Sequence, residues 1–218
     1  MINLQAPCPG LPYIIKREHS TLKKFPAASS FIAETMAREI HLIRHGKTQA
    51  NQENRFAGRS DEPLCREGRE QLAQLAEQCA GMGLTALYAG PLLRTVQSAR
   101  IIGGRCGLTV HEAPGLIDID LPHWDGLTKE AIRRRFGDEY PTWLASPHTF
   151  HVPDCEDLRA VQQRAVAQVA AIAAAESGSV LLVTHLIVAR CLLLHYRQQP
   201  LSRFRTIKVA NGEVARLL

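Results

Sequence analysis

The chain reads as an α/β protein, a three-layer α/β/α sandwich whose central sheet is mostly parallel. Three observations predict this. Short apolar runs recur at residues 40–43, 84–89 and 180–184, and between them lie segments with the 3.6-residue periodicity of amphipathic helices. Strands that alternate with helices in this way favour a parallel sheet covered on both faces. Two of the runs also end abruptly in histidine, at Arg44-His45-Gly46 and at Thr184-His185. Strand tips are where such sheets present groups to ligands.

The elements follow in order. The first strand, 40–43, is apolar around His41 and stops at Gly46, where the missing Cβ permits a sharp turn. A polar loop runs to about Leu64. Leu72, Leu75, Ala76, Cys79 and Ala80 then recur at i, i+3, i+4, i+7 and i+8, a helix that Gly81 and Gly83 terminate. Residues 84–89 form the next strand, Pro91 opens a helix to about Cys106, and a short strand is expected over 109–113. Two short helices, 130–136 and 140–145, lie in a loop-rich insertion. A long helix, about 157–176, carries Leu158, Val161, Ala165, Val169 and Ile172 on one face. Strand 180–184, helix 187–196 and two terminal strands, 205–209 and 213–217, complete the chain.

Composition excludes several function classes. With 218 residues, 45% apolar and 22% charged, the chain suits one soluble domain with a substantial core. No apolar run approaches the ~20 residues that cross a bilayer, so no membrane partner is expected. The net charge is +5, yet no dense basic tract interleaved with aromatics suggests nucleic acid. Mild basicity suits small anionic substrates. Arg133, Arg134 and Arg135 form the one compact basic run and read as a solvated helix face. The six cysteines (8, 65, 79, 106, 155 and 191) show no paired spacing, which argues against zinc. Cys79 and Cys191 fall on apolar helix faces as small core residues. A reduced, cytoplasmic setting is expected.

Residues 1–35 differ from the rest, with prolines at 7, 9, 12 and 26 and basic residues Lys16, Arg17, Lys23 and Lys24. Their apolar stretch, 11–15, is too short for a signal-peptide core and has its charges on the wrong side. Glu18 and Glu34 weigh against a transit peptide. The segment is read as an N-terminal extension without an assigned role, and the domain as spanning 36–218.

His45 and His185, on two strand tips and with Arg44 before the first, suggest a phosphoryl site. The triplet alone leaves His45 open to being a simple turn residue, and the sequence beyond it narrows the choice. His45-Gly46-Lys47-Thr48-Gln49-Ala50-Asn51, Asn54-Arg55-Phe56-Ala57-Gly58 and Asp61-Glu62-Pro63-Leu64 together resemble the opening of the histidine phosphatase superfamily, in its phosphoglycerate-mutase-like branch. The resemblance continues through Gly90-Pro91-Leu92-Leu93-Arg94-Thr95, Pro114-Gly115-Leu116, Trp124-Asp125-Gly126-Leu127-Thr128 and Thr184-His185. It ends near Asn211-Gly212-Glu213-Val214, so it covers roughly residues 38–217. It implies that family's sandwich fold, a phosphate pocket of Arg44, His45, Asn51, Arg94 and His185, and transient phosphorylation of His45.

The residue chemistry fits that implication. Breaking a phosphomonoester without a metal needs a nucleophile, cations for the phosphoryl oxygens and an acid for the leaving oxygen. His45 suits the first role if a backbone carbonyl holds one ring nitrogen. Arg44 and Arg94 offer planar forks, Asn51 an amide, His185 a second imidazole, and Leu186 a backbone N–H. Plainer alternatives stand beside these: an exposed helix arginine at 94, a loop-capping asparagine at 51, a satisfied core histidine at 185. The resemblance expects a glutamate as general acid where Asp118 stands, one methylene shorter, which shortens its reach by about 1.5 Å. Asp120 and His123 are the alternative donors.

Two departures from the family pattern bear on activity. His185 is followed by Leu186-Ile187 instead of a glycine, so a leucine side chain narrows the space near the phosphate. The usual Pro-Gly-Gly-Glu-Ser is Pro153-Asp154-Cys155-Glu156-Asp157, which puts the loop's conformation in question and adds a negative charge if Asp154 faces the pocket. The expected function is a metal-independent phosphomonoesterase acting on a small phosphorylated metabolite, without a cofactor. Phosphoglycerate-mutase chemistry and a catalytically weak, ligand-binding member are the alternatives. Mutases of this fold carry a longer insertion than the 67 residues from Asp118 to His185, which favours hydrolysis. His148, His151 and Arg133 to Arg135 are expected over the pocket, suiting a substrate with further anionic groups. A homodimer is left open.

Overall fold

A computed structural model describes residues 39–218; the 1–35 extension lies outside the described residues. Strands β1 (Glu39–Arg44), β2 (Leu84–Ala89), β3 (Val110–Glu112), β4 (Ser179–Thr184) and β5 (Val214–Arg216) make one sheet in the order β3-β2-β4-β1-β5. The first four are parallel, and β5 closes one edge antiparallel to β1. Seven α-helices accompany them among the described residues: α1 (Gln49–Gln52), α2 (Arg66–Ala80), α3 (Leu93–Cys106), α4 (Lys129–Arg135), α5 (Glu139–Ala145), α6 (Leu158–Ala175) and α7 (Leu186–Tyr196). Short 3-10 turns span Pro114–Leu116 and Leu201–Thr206.

The period-two alternation of a strand sends successive side chains to opposite layers. On one face Ile43, Leu87, Leu181 and Val183 pack with Leu72 and Cys79 of α2 and Ile102 of α3. On the other, Ile40, Leu42, Val180 and Leu182 pack with Val161, Ala165 and Val169 of α6 and with Val188 and Cys191 of α7. Central β4 is buried on both sides, which is why its sequence is an unbroken apolar run. Cys79 and Cys191 sit in these two cores as free thiols, and Arg133, Arg134 and Arg135 are exposed.

The insertion between β3 and α6 has an aromatic core of its own. Trp124 meets Tyr140, Trp143 and Phe150 at centroid distances of 5.8, 6.1 and 5.2 Å, the first two edge-on, as ring quadrupoles favour. Glu139 accepts from the Trp124 indole N–H at 3.0 Å, which lets so polar a ring edge be buried.

The expected strand over 205–209 does not form. Its alternation is real, for Phe204, Ile207 and Val209 are buried and Lys208 is exposed. But Arg190 Nε donates to the Ile207 carbonyl at 2.7 Å and Arg44 Nη1 to the Val209 carbonyl at 3.2 Å. Arginine side chains take the places of a neighbouring strand, and residues 201–206 wind into a 3-10 turn after Pro200.

Candidate active site

Two neighbouring strand tips form the floor of the site. Parallel register pairs Arg44 with Thr184, so His45 and His185 emerge side by side, their ring centroids 5.3 Å apart. Gly46 must lack a side chain here, because a Cβ would come within 2.6 Å of Leu72 Cδ1 and 2.9 Å of the Gly68 carbonyl.

His45 is buried, and its Nδ1 lies 2.7 Å from the Gly46 carbonyl oxygen. A carbonyl only accepts, so Nδ1 carries the proton and Nε2 keeps its lone pair. Burial, with Arg94 and Arg44 nearby, holds the imidazole well below its usual pKa, so it stays neutral. His185 is fully buried and likewise lowered, by burial and then by Arg94 and His45. Arg94 Nε donates to its Nδ1 at 3.2 Å, which leaves the proton on Nε2, buried and without a partner; contrary to the expected pocket, His185 is not part of the cavity wall, its ring packed instead behind Arg94 and Asp118.

Arg94 is fully buried and not the exposed helix residue of the plainer reading. Its Nη1 donates to the Ser60 carbonyl at 2.7 Å, and Nη2 to the Gly58 carbonyl at 2.6 Å and to Asp118 Oδ2 at 3.2 Å. Most of its fork therefore holds a loop, Asp118 and His185, and only one Nη1 proton is left for a ligand. Arg44 has a free, buried Nε and borders the cavity. Asn51 fits the capping reading and also borders the cavity. Its oxygen accepts from the Thr48 N–H at 3.2 Å, capping α1, and from Asn211 Nδ2 at 3.3 Å. Its amide nitrogen remains for the cavity it lines. Leu186 begins α7, whose N-cap His185 makes no side-chain cap bond, so the first N–H groups of that helix are open to a ligand. Leu186 also lines the cavity, as does Ile187.

Asp118 borders the same cavity, with Oδ2 3.2 Å from Arg94 Nη2 and 3.6 Å from His185 Nδ1. Burial raises its pKa, against the pull of Arg94 and the Ile119 N–H. The alternative donors are absent from the cavity wall: Asp120 pairs with Arg59 at 3.0 Å and His123 with Glu139 at 2.8 Å. Arg164 of α6 secures the Asp118 loop. Its Nη1 donates to the carbonyls of Gly115 (2.9 Å) and Ile117 (2.7 Å), its Nη2 to that of Asp118 (3.1 Å), and Nε to Glu156 (2.6 Å).

In the substituted loop 153–157 Asp154 adopts the left-handed conformation, φ 59°, that a glycine would take without strain. Asp154 is exposed and stands off the cavity. The cavity measures about 270 Å³. Its wall contains neither His148 nor His151, contrary to expectation, because the insertion turns inward through Tyr140, Trp143 and Leu144 instead. Of the arginine run, Arg133 alone borders a neighbouring depression shared with Lys129 and Tyr140.

Four further cations line the cavity: Arg55, Lys129, Arg190 and Arg205. Arg190 had a signal in the sequence, since it follows Leu186 by four residues on one helix and so shares its face. Lys129 and Arg205 had none, because the tertiary course of their segments brings them in. Among the described residues, no group of three His, Cys, Asp or Glu side chains converges as a metal site would need.

Comparison with known proteins agrees with this fold. The profile of the histidine phosphatase superfamily (branch 1) matches residues 40–218. A probable phosphoglycerate mutase GpmB of Enterobacter sp. (strain 638) is 33% identical over 187 residues, covering 82% of this chain and 84% of that protein. Among solved structures, Bacillus stearothermophilus YhfR superposes with a TM-score of 0.78 at 28% identity, over 82% of this chain and 89% of that one. A mycobacterial glucosyl-3-phosphoglycerate phosphatase in complex with VO3 gives 0.77 at 25% identity, over 83% and 92%.

Proposed function

The chain belongs to the histidine phosphatase superfamily, and we propose that it hydrolyses the phosphomonoester of a small metabolite through a phosphohistidine at His45. One observation carries the reading: the Gly46 carbonyl fixes the His45 tautomer, so a neutral Nε2 with a free lone pair faces a cavity bordered by Arg44 and Asp118. Nε2 attacks phosphorus as the ester P–O bond breaks, and Asp118 gives its proton to the departing oxygen. Arg44, the remaining Nη1 proton of Arg94, the Asn51 amide and the Leu186 N–H take up the charge on the phosphoryl oxygens. Water then attacks phosphorus while Asp118 accepts a proton, the P–N bond breaks, and phosphate leaves with His45 restored. The raised pKa of Asp118 favours the protonated acid that the first step requires. The cavity, about 270 Å³, is at the small end of ligand pockets and suits a metabolite better than a phosphoprotein. A cytoplasmic setting is consistent with the free thiols.

The test is hydrolysis of p-nitrophenyl phosphate and a phosphometabolite panel with EDTA present, wild type beside His45→Ala. Turnover should vanish in the variant, and a radiolabelled phosphohistidine should be trapped only in the wild type. Turnover that survives in His45→Ala overturns the mechanism. The similarity to a probable phosphoglycerate mutase supports a second reading, phosphoryl transfer between hydroxyls. Interconversion of phosphoglycerates faster than phosphate release would favour it.

A further inference from the structure

Asn-Gly is a turn signal, and Asn211-Gly212 stands in the turn that leads into β5. Strand β5 runs antiparallel to β1, with Val214 opposite Ile43, so this turn rises beside the strand tip that carries His45. Gly212, at φ 66°, supplies the left-handed residue that so tight a turn requires. Its N–H donates to the Arg44 carbonyl at 2.9 Å, and the Asn211 carbonyl accepts from Gln71 Nε2 at 2.6 Å. The turn is thereby fastened to both β1 and α2, and the half-buried Asn211 side chain points at the site from behind.

That side chain meets two acceptors. Asn211 Nδ2 lies 2.8 Å from the His45 carbonyl oxygen and 3.3 Å from Asn51 Oδ1. A carbonyl only accepts, so the Asn211 atom facing it is the amide nitrogen, and each partner takes one of its two protons. The same logic passes on to Asn51. Its atom nearest Asn211 faces two donors, Asn211 Nδ2 and the Thr48 N–H at 3.2 Å, and must be the oxygen. The Asn51 amide nitrogen is left for the cavity that Asn51 borders. A flipped Asn51 would set its NH2 group against two donors and turn a carbonyl oxygen toward an anionic ligand, unfavourable on both counts. The His45 contact has a counterpart on the same peptide. Gly46 N–H donates to Ser98 Oγ at 3.1 Å, and the Ser98 hydroxyl donates to the Arg94 carbonyl at 2.6 Å. The His45–Gly46 peptide is thus held at its oxygen by Asn211 and at its nitrogen by Ser98.

We propose that Asn211 is a positioning residue of the phosphoryl site: its amide holds the His45 carbonyl and sets the Asn51 amide with its N–H groups toward the phosphoryl oxygens. This rests on the phosphomonoester reading, in which Asn51 donates to the phosphoryl group. Asn211 itself does not border the cavity, so it acts through Asn51 and His45 and touches no substrate.

Calorimetric titration with inorganic phosphate, run as a double-mutant cycle, tests it. Asn211→Ala and Asn51→Ala should each weaken phosphate binding about 3–10-fold, the worth of one hydrogen bond. In the double variant the loss should stay close to that of Asn51→Ala alone, because the amide that Asn211 orients is gone. Glu213→Ala removes the side chain that accepts the Ala210 N–H in the same turn, and should leave phosphate affinity unchanged. Asn211→Ser, a polar residue suited to turns, carries the same cycle if Asn211→Ala does not fold. Losses that simply add in the double variant, an unchanged affinity in Asn211→Ala, or an equal loss in Glu213→Ala overturn the proposal. Titration breaks no bond, so turnover of p-nitrophenyl phosphate is read separately. Additive losses in an enzyme that turns over sink the role of Asn211 alone. Coupled losses without turnover leave that role standing and sink the hydrolytic reading. A wild type that binds no phosphate overturns the proposal, and one that also shows no turnover removes the reading beneath it.

Discussion

Arg164 positions the proposed acid without touching the cavity, and replacing it separates that role from ordinary structural support. In Arg164→Met the carbonyls of Gly115, Ile117 and Asp118 lose their common donor, and Glu156 loses its nearest cation. Glu156 keeps the Asp120 N–H at 3.1 Å and Arg59 at 3.4 Å, so its charge is not abandoned. Each charge-assisted hydrogen bond is worth about 1.5–3 kcal/mol. Arg164 and Glu156 are 21% and 17% exposed, and solvent screening limits the net loss to about 2–3 kcal/mol. That lowers Tm by about 5–10 °C for a chain of this size. A general acid contributes about 10²–10⁴ in rate, so a slackened Asp118 loop should cost kcat about 10–100-fold on an alkyl phosphate. The same variant should lose far less on p-nitrophenyl phosphate, whose phenolate departs without a proton. Arg164→Lys keeps the charge but cannot reach three carbonyls at once, so it should behave like Met in rate while recovering part of the stability. Steady-state kinetics with both leaving groups, beside thermal unfolding, reads all of this. An equal loss on the two substrates, or no loss on either, would refute the positioning role.

Three other outcomes are expected. The kcat/KM profile should be bell-shaped with its optimum on the acid side of neutrality. Activity rises as His45, lowered by burial, loses its proton, and falls as Asp118, raised by burial, loses its own. Asp118→Asn should abolish the alkaline limb, and a flat profile from about pH 5 to 8 contradicts the assignment. Fold stability, followed as Tm against pH, should decline as pH drops below about 6.5, because the unfolded chain protonates two imidazoles that burial keeps neutral in the native state. Each imidazole contributes up to about 1.4 kcal/mol per pH unit, with Asp118 offsetting part of this at lower pH. An invariant Tm over that range would oppose it. Gly58→Ala should destabilise the fold by about 2 kcal/mol or more. Gly58 has φ 45°, and its Cβ would lie 1.8 Å from Asp125 Oδ1. A Tm within about one degree of wild type would show that Asp125 yields freely.

What the sequence disclosed and what it withheld divide along a physical line. His45 and His185 were legible because a buried parallel strand writes itself as a mainly apolar run, and the residues at its end stand at the edge of the sheet where ligands are met. Their adjacency was not written in either strand; the pairing of β1 with β4, 140 residues on in the register Glu39 to Ser179, supplies it. The false strand at 205–209 shows the same limit from the other side. Alternating burial at Ile207 and Val209 specifies an extended backbone, while only the tertiary structure decides that arginines, not a neighbouring strand, meet its carbonyls. Arg94 was found by motif, yet its commitment to Ser60, Gly58, Asp118 and His185 became visible only once three loops converged on it. The outer cations follow this rule most fully. Lys129 and Arg205 lie on segments whose own periodicity says only helix start and turn, and they reach one cavity wall through the inward fold of the aromatic insertion. The proposed phosphoryl end of the site is thus encoded locally, at strand tips, and the outer wall of the cavity is encoded in packing. Substitutions in the Trp124, Tyr140 and Trp143 cluster should therefore alter which phosphomonoester is accepted before they alter whether one is cleaved.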